Sequence, residues 1–292
     1  MRTKLRIVFP SSPCTEDQLA KGLSDLKQAG FSTECKKPNV YPQLPFLSGS
    51  VEDRLSEFTE ALFDKSIRFI LCARGGYGAS DLLDALPWGK LKSIEPKYIV
   101  GFSDISALHS AFFAKLGWVS VHAPMPGSRL WGKNGSQDLE SLYELFRAPT
   151  EWSGSIRIKN IASQIDSSIN GWLFGGCLSV LCSLVGTPYF PHSLRGAILL
   201  LEDTGETPGE VLRMINQLKH CGLLESASAL VLGYFESLED PDTLFQEIAR
   251  RVSIPVLSSM DFGHLSPNFP WVLGAYGEIH GNELRWTYGG VK

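Results

Sequence analysis

SIRFILCARGGYGAS (66–80) and KYIVGFSDISALHSAFFAKLG (97–117) decide how the chain is read. Each opens on a short apolar run, too short for a buried helix, and passes through a turn that carries glycine. The second then enters a helix-spaced segment, so strand, turn and helix follow one another directly. Upstream the same rhythm recurs. LRIVF (5–9) reads as a strand, and EDQLAKGLSDLKQAG (16–30) places Leu19, Leu23, Leu26 and Ala29 at helical spacing, closed by Gly30. FSTECK restarts as a strand, and SVEDRLSEFTEALFD (50–64) opens on Ser with acidic residues in its first turn, as a capped helix does. SDLLDAL (80–86) reads as a further helix. Alternation at this rhythm predicts an α/β fold with an open, mainly parallel sheet.

The character changes over 128–170, where RLWGKNGSQDL is polar and turn-rich and TEWSGSIRIKN reads as irregular strands. We place the inter-domain connection at about 146–168, giving domains at 1–150 and 165–292. The second half carries an apolar strand, GAILLLED (196–203), then a helix over 210–222. ASALVLGYF (227–235), a helix over 242–252 and the strand IPVLSSM (254–260) follow. The tail LGAYGEIHGNELRWTYGG alternates like an antiparallel hairpin turning at Gly281-Asn282, which adds a β-rich portion.

Bulk properties narrow the function. Of 292 residues 43% are hydrophobic and 20% charged, and the formal net charge is -4, so no basic field exists to hold nucleic acid. Six cysteines are scattered without a C-x-x-C pair, several inside apolar runs, and read as buried free thiols. LRIVF is too short for a signal peptide, and no run approaches a transmembrane length. A cytoplasmic protein without a membrane partner is expected. No His or Cys spacing suggests a metal, and no cofactor fingerprint is present.

In open α/β sheets, ligands lie beyond the carboxyl ends of strands, which selects four places. Ser103 follows the strand KYIVGF and precedes a helix, with Gly101 two residues earlier, the geometry of a nucleophile elbow. The N–H of Asp104 then faces a developing oxyanion; the alternative is that Ser103 or Asp104 caps the helix. Gly75, Gly76 and Gly78 lie in a turn that aims N–H groups at an anion or is merely tight. Glu202 emerges after an apolar strand to orient an imidazole, with Asp203 and Glu206 as competitors and capping or ion pairing as alternatives. His264 follows a strand and Gly263, in a loop that also suits a structural histidine. His122 (VSVHAPMPG) passes the same filter as a pocket-lining group, whereas His109 and His220 lie within helices and His280 in the hairpin. A serine hydroxyl needs a base and the base needs an orienting partner; Ser, Glu and His occur here in that order.

Six strings, CARGGYGAS (72–80), VGFSDISALH (100–109), VHAPM (121–125), FGGCLSVLCSLVGTPY (174–189), ILLLEDTGE (198–206) and FGHLSPN (262–268), resemble the LD-carboxypeptidase family of serine peptidases. That family includes muropeptide LD-carboxypeptidases and microcin-C immunity peptidases. The resemblance implies a Rossmann-like N-terminal domain carrying the nucleophile Ser103, and a smaller C-terminal domain carrying the base His264 and its partner Glu202. It implies an oxyanion hole of Gly76 and Asp104 N–H groups, release of a terminal D-alanine from a murein tetrapeptide, and a homodimer. Arg74 and Arg129 are candidate clamps for the terminal carboxylate, with Gly75 and His122 lining the substrate site. The chain departs from the family at Cys177, usually Asn, at Ala123, usually Gly, and after Glu206, where a Tyr-Arg pair is common. Two rival readings are hydrolysis of peptidyl-nucleotide antibiotics and non-catalytic binding in the inter-domain cleft.

Overall fold

FILC and YIVG, at the heart of the two deciding stretches, are buried at every position, as strands covered on both faces must be. The computed structural model describes residues 3–36, 41–133, 135, 137–161, 167–236 and 238–288. Residues 162–166, inside the expected connection at 146–168, lie outside the described residues. The strands are β1 (Lys4–Val8), β2 (Ser32–Cys35), β3 (Phe69–Cys72), β4 (Tyr98–Gly101), β5 (Ser120–His122), β6 (Ser153–Arg157), β7 (Lys159–Asn160), β8 (Ile169–Cys177), β9 (Ala197–Thr204), β10 (Ala229–Glu236), β11 (Val256–Gly263), β12 (Trp271–Leu273), β13 (Tyr276–His280) and β14 (Glu283–Thr287). The helices are α1 (Glu16–Gln28), α2 (Val51–Phe63), α3 (Trp88–Leu91), α4 (Ser106–Leu116), α5 (Gln137–Arg147), α6 (Leu178–Leu184), α7 (Pro208–His220) and α8 (Pro241–Arg251).

In the first sheet β2-β1-β3-β4-β5 run parallel, and β12 closes the edge antiparallel to β5, pairing Trp271 with His122. Strand order reverses between β1 and β3. At that switch point the loops after their carboxyl ends part and leave a crevice. The second sheet has the order β6-β14-β13-β8-β9-β10-β11-β7, parallel in its centre from β8 to β11 and antiparallel at its flanks. The terminal hairpin turns at Gly281-Asn282, between β13 and β14. The expected division at 1–150 and 165–292 therefore shares a strand, because β12 lies in the second half of the chain and in the first sheet.

SDLLDAL differs from expectation. Only a 3-10 turn forms, at Ser80–Leu82. Pro87 follows closely and disfavours helical backbone just before it, and Asp81 is drawn aside to pair with Arg54. Of the six thiols, all free, Cys72, Cys177 and Cys182 are buried, Cys14 and Cys35 are half-buried, and Cys221 is exposed.

One charge organises the crevice from beneath. Arg54 of α2 is 2% exposed. Its Nη1 donates to the carbonyls of Pro10 and Gly78, both at 2.6 Å, and its Nε donates to Gly49 at 3.3 Å. Its Nη2 reaches Asp81 at 2.9 Å. The loops after β1 and β3 are thus tied to the start of α2. A Cβ at Gly78 would sit 2.6 Å from Nη1, so the guanidinium needs glycine there. Replacing Arg54 strands these carbonyls and the Asp81 charge. We expect Arg54→Met to lower the unfolding free energy by about 3 kcal/mol, measured by urea titration. A loss below about 1 kcal/mol would mean that the guanidinium does not hold the loops.

Candidate active site

The turn from β4 into α4 presents Ser103. Its φ is 63°, in the left-handed region, which costs a residue with a Cβ roughly 1–2 kcal/mol. The strain aims the hydroxyl out of the turn. Close packing from the neighbouring loop holds it there, since a Cβ at Gly75 would lie 2.8 Å from Ser103 Cβ and 3.0 Å from its Oγ. Neither Ser103 nor Asp104 caps the helix, because the residue at the cap of α4 is Ile105 and no side-chain cap bond forms. Asp104 is instead buried and ties three loops together. Its Oδ2 accepts from Ser11 Oγ at 2.6 Å and from Ala79 N at 2.9 Å. Burial pushes its carboxyl above the usual range despite these two bonds. Ser12 completes the crevice by donating from its N–H to Gly75 O at 3.2 Å and accepting from Tyr77 N at 3.2 Å.

The carboxyl ends of the second sheet face this elbow. Glu202, near the end of β9, has a fully buried side chain, and His264 follows Gly263 at the end of β11. Gly263 has a φ of 115°, and a Cβ there would lie 2.9 Å from Tyr234 O and 3.1 Å from Glu202 Cβ. His264 Nδ1 stands 2.6 Å from Glu202 Oε2, and Nε2 stands 3.0 Å from Ser103 Oγ. With Glu202 ionised, Nδ1–H donates to the carboxylate and Nε2 accepts from the serine hydroxyl. Burial alone would push Glu202 up, but the charge and hydrogen bond of His264, with the His122 ring close behind, hold it at about 2. Burial pulls His264 down, yet the carboxylates of Glu202, Asp203 and Glu236 outweigh it and raise the ring above its ordinary value.

The structure separates the other carboxylates and histidines. Asp203 turns away to accept from Ser179 N at 2.7 Å and Thr204 N at 2.8 Å, and from the thiol of Cys177 at 3.2 Å. It organises the start of α6 and stays out of the serine line. His122 does not line the site. It is fully buried behind Glu202 with its ring stacked on Trp271, since β12 covers the edge where an open pocket was expected.

The cleft in front of Ser103 encloses about 370 Å³ and is bordered by Arg74, Gly75, Gly76, Arg129, Glu236 and His264, among others. Arg74 Nη1 donates to Pro13 O at 2.6 Å. Arg129 pairs with Glu236 at 2.6 Å, and Glu236 also accepts from Thr204 Oγ at 2.6 Å. Sequence reasoning missed Glu236, although it ends β10 as Glu202 nears the end of β9. The apolar run ASALVLGYF stops at Phe235, one residue before Glu236. Asn268 was missed too: its Oδ1 accepts from Gly263 N at 3.1 Å and its own N–H donates to Asp138 Oδ2 at 2.9 Å, closing the loop that carries His264.

An alcohol, an imidazole and a buried carboxylate bonded in that order, over a cleft between two α/β units, define a hydrolase of the serine type. Family models of the LD-carboxypeptidase N-terminal domain and the LD-carboxypeptidase C-terminal domain match residues 5–123 and 170–279. The chain belongs to the LD-carboxypeptidase family and is a peptidase. It is 30% identical over 294 residues to the murein tetrapeptide carboxypeptidase of Pseudomonas aeruginosa, covering 97% of this chain and 95% of that one. It is 25% identical over 297 residues to the microcin C7 self-immunity protein of Escherichia coli, covering 91% of this chain and 86% of that one. The solved muramoyltetrapeptide carboxypeptidase of Oxalobacter formigenes superposes with a TM-score of 0.84 at 26% identity over 99% of both chains.

The strained serine gives a test that is independent of substrate. Ser103→Gly and Ser103→Ala both lack the hydroxyl, but only alanine keeps a Cβ at positive φ. The glycine variant is expected to be the more stable by about 1 kcal/mol in equilibrium unfolding. An alanine variant of equal or greater stability would show that the elbow is unstrained.

Proposed function

We propose that this peptidase is a serine-type LD-carboxypeptidase that releases the terminal D-alanine of murein tetrapeptides, acting on recycled wall peptides in the cytoplasm. The observation that carries it is the unbroken line from Glu202 through His264 to Ser103, opening into a cleft bordered by Arg74 and Arg129. Ser103 Oγ attacks the carbonyl that joins an L-centre to D-alanine, and Nε2 of His264 takes the hydroxyl proton. The resulting imidazolium is stabilised by Glu202. Backbone N–H groups of Gly76 and Asp104, in the two loops that meet beside Ser103, stabilise the oxyanion; losing one such donor costs about 2.7–4 kcal/mol. On collapse the C–N bond breaks, and the proton held by His264 passes to the amine of D-alanine. Water, deprotonated by the same ring, then hydrolyses the acyl-enzyme and regenerates the serine. Arg74, beside Gly75 and Gly76, and Arg129, which would have to release Glu236, are cations at the cleft border that could meet the terminal carboxylate. The name of the Pseudomonas relative supports this substrate.

The likeness to the microcin C7 self-immunity protein favours a second reading, cleavage of a peptidyl-nucleotide. Comparing kcat/KM for a murein tetrapeptide with that for a peptidyl-adenylate separates the two, and preference for the tetrapeptide is expected.

Two outcomes check the mechanism. Ser103→Ala should lose D-alanine release by at least about 10⁴-fold, and activity equal to wild type would eliminate the assignment. The ring of His264 must be neutral to accept a proton, and its pKa is raised from 6.5. kcat/KM is therefore expected to fall as pH drops through a value above 6.5. Glu202→Gln removes the main group that raises the ring, so it should move this acid limb to lower pH while lowering kcat. A limb that stays in place would separate Glu202 from the titrating base.

A further inference from the structure

Behind Glu202 lies a second imidazole that the proposed reaction leaves unused. His122 ends β5 and is fully buried. Its ring stacks on Trp271 at 5.0 Å, with Phe102 at 5.6 Å and Phe262 at 6.2 Å on its other sides. This cage fixes the plane of the ring. Trp271, from β12, pairs directly with His122 across the sheet. Nε2 of His122 stands 3.7 Å from Oε1 of Glu202, the oxygen that does not meet His264. Among the described residues, Oε1 and both ring nitrogens of His122 are buried without a hydrogen-bond partner.

A buried carboxylate oxygen without a donor is costly, and an N–H dipole aimed at it offsets part of that cost. At 3.7 Å the contact is longer than a hydrogen bond. The titratable groups facing the pair are His264 and Asp203 on the side of Glu202 and His109 of α4 on the side of His122. Burial first, then His122, hold His109 down at about 3, so it is neutral and brings no competing charge.

We propose that His122 is a positioning residue: it carries a proton on Nε2, directs that N–H at Oε1 of Glu202 and so keeps Oε2 on Nδ1 of His264. It touches neither Ser103 nor the cleft. The inference rests on the reading of Ser103, His264 and Glu202 as the reacting line.

Nitrogen-15 imidazole spectra of the wild-type chain, with His122 assigned by comparison with His122→Gln, test it without kinetics. Nε2 of His122 is expected to be the protonated nitrogen that faces Glu202. An Nδ1–H tautomer, which leaves Nε2 without a proton, would overturn the proposal.

Kinetics give a second test. His122→Phe fills the slot beside Trp271 without a donor. Its kcat should fall roughly 10- to 100-fold with KM unchanged, the size of loss seen when partners that orient a ligating histidine are removed. Glu202, less stabilised as an anion, then holds the charged form of His264 to higher pH, so the acid limb of kcat/KM should move up. His122→Gln keeps an N–H and should recover most of kcat. A phenylalanine variant with the wild-type rate and profile, or a glutamine variant no better than it, would reduce His122 to core packing. Should the phenylalanine variant fail to fold, the tautomer decides. A wild-type chain that releases no D-alanine overturns the substrate reading, and the tautomer still decides His122.

Discussion

Glu202 is a carboxylate with no exposure to water, held 2.6 Å from an imidazole at the end of the neighbouring-but-one strand. A lone charge in that position would not survive folding, because its desolvation exceeds what any single neutral neighbour returns. The two members therefore depend on each other: the carboxylate raises the ring, and the ring keeps the carboxylate ionised. The serine, the cleft and the glycines around them are arranged about this pair.

That arrangement requires two sheets to approach closely, and small residues make it possible. Gly175 and Gly176, at the end of β8, have φ values of 151° and 135°. A Cβ on Gly176 would lie 2.3 Å from Ser106 Oγ, and that hydroxyl accepts from Cys177 N at 3.0 Å. The first turn of α4 thus seats directly on the end of the second sheet, one helical turn from Ser103. From the other side β12 returns to the first sheet, so the halves of the chain are joined by backbone pairing as well as by packing. The acid and base sit on one sheet and the alcohol on the other, with distances set by glycine contacts and not by flexible loops.

Much of this was legible in the sequence because the relevant signals are local. Strand, turn and helix repeat visibly in the first half, and a rule about strand ends led to Ser103, Glu202 and His264. What it could not give were contacts made by residues that look ordinary in their own segment. Arg54 lies on a capped helix and nothing in its own segment marks it, yet its partners are carbonyls far along the chain. Asp104 reads as an oxyanion N–H donor or a helix cap, and nothing local shows that its side chain ties loops together. Glu236 ends β10 one residue beyond its apolar run, where the sequence pattern no longer marks a strand. His122 was expected to line the pocket because nothing local showed that Trp271 would cover it. In each case the deciding partner is non-local.

The central claim, that His264 and Glu202 activate Ser103, is tested most directly by covalent trapping. The full chain is treated with a phosphonofluoridate and the adduct is mapped by mass spectrometry of its peptides. A single adduct on Ser103 is expected, formed at a rate that collapses in His264→Ala. An adduct on another residue, or equal labelling of Ser103 without the imidazole, would contradict it.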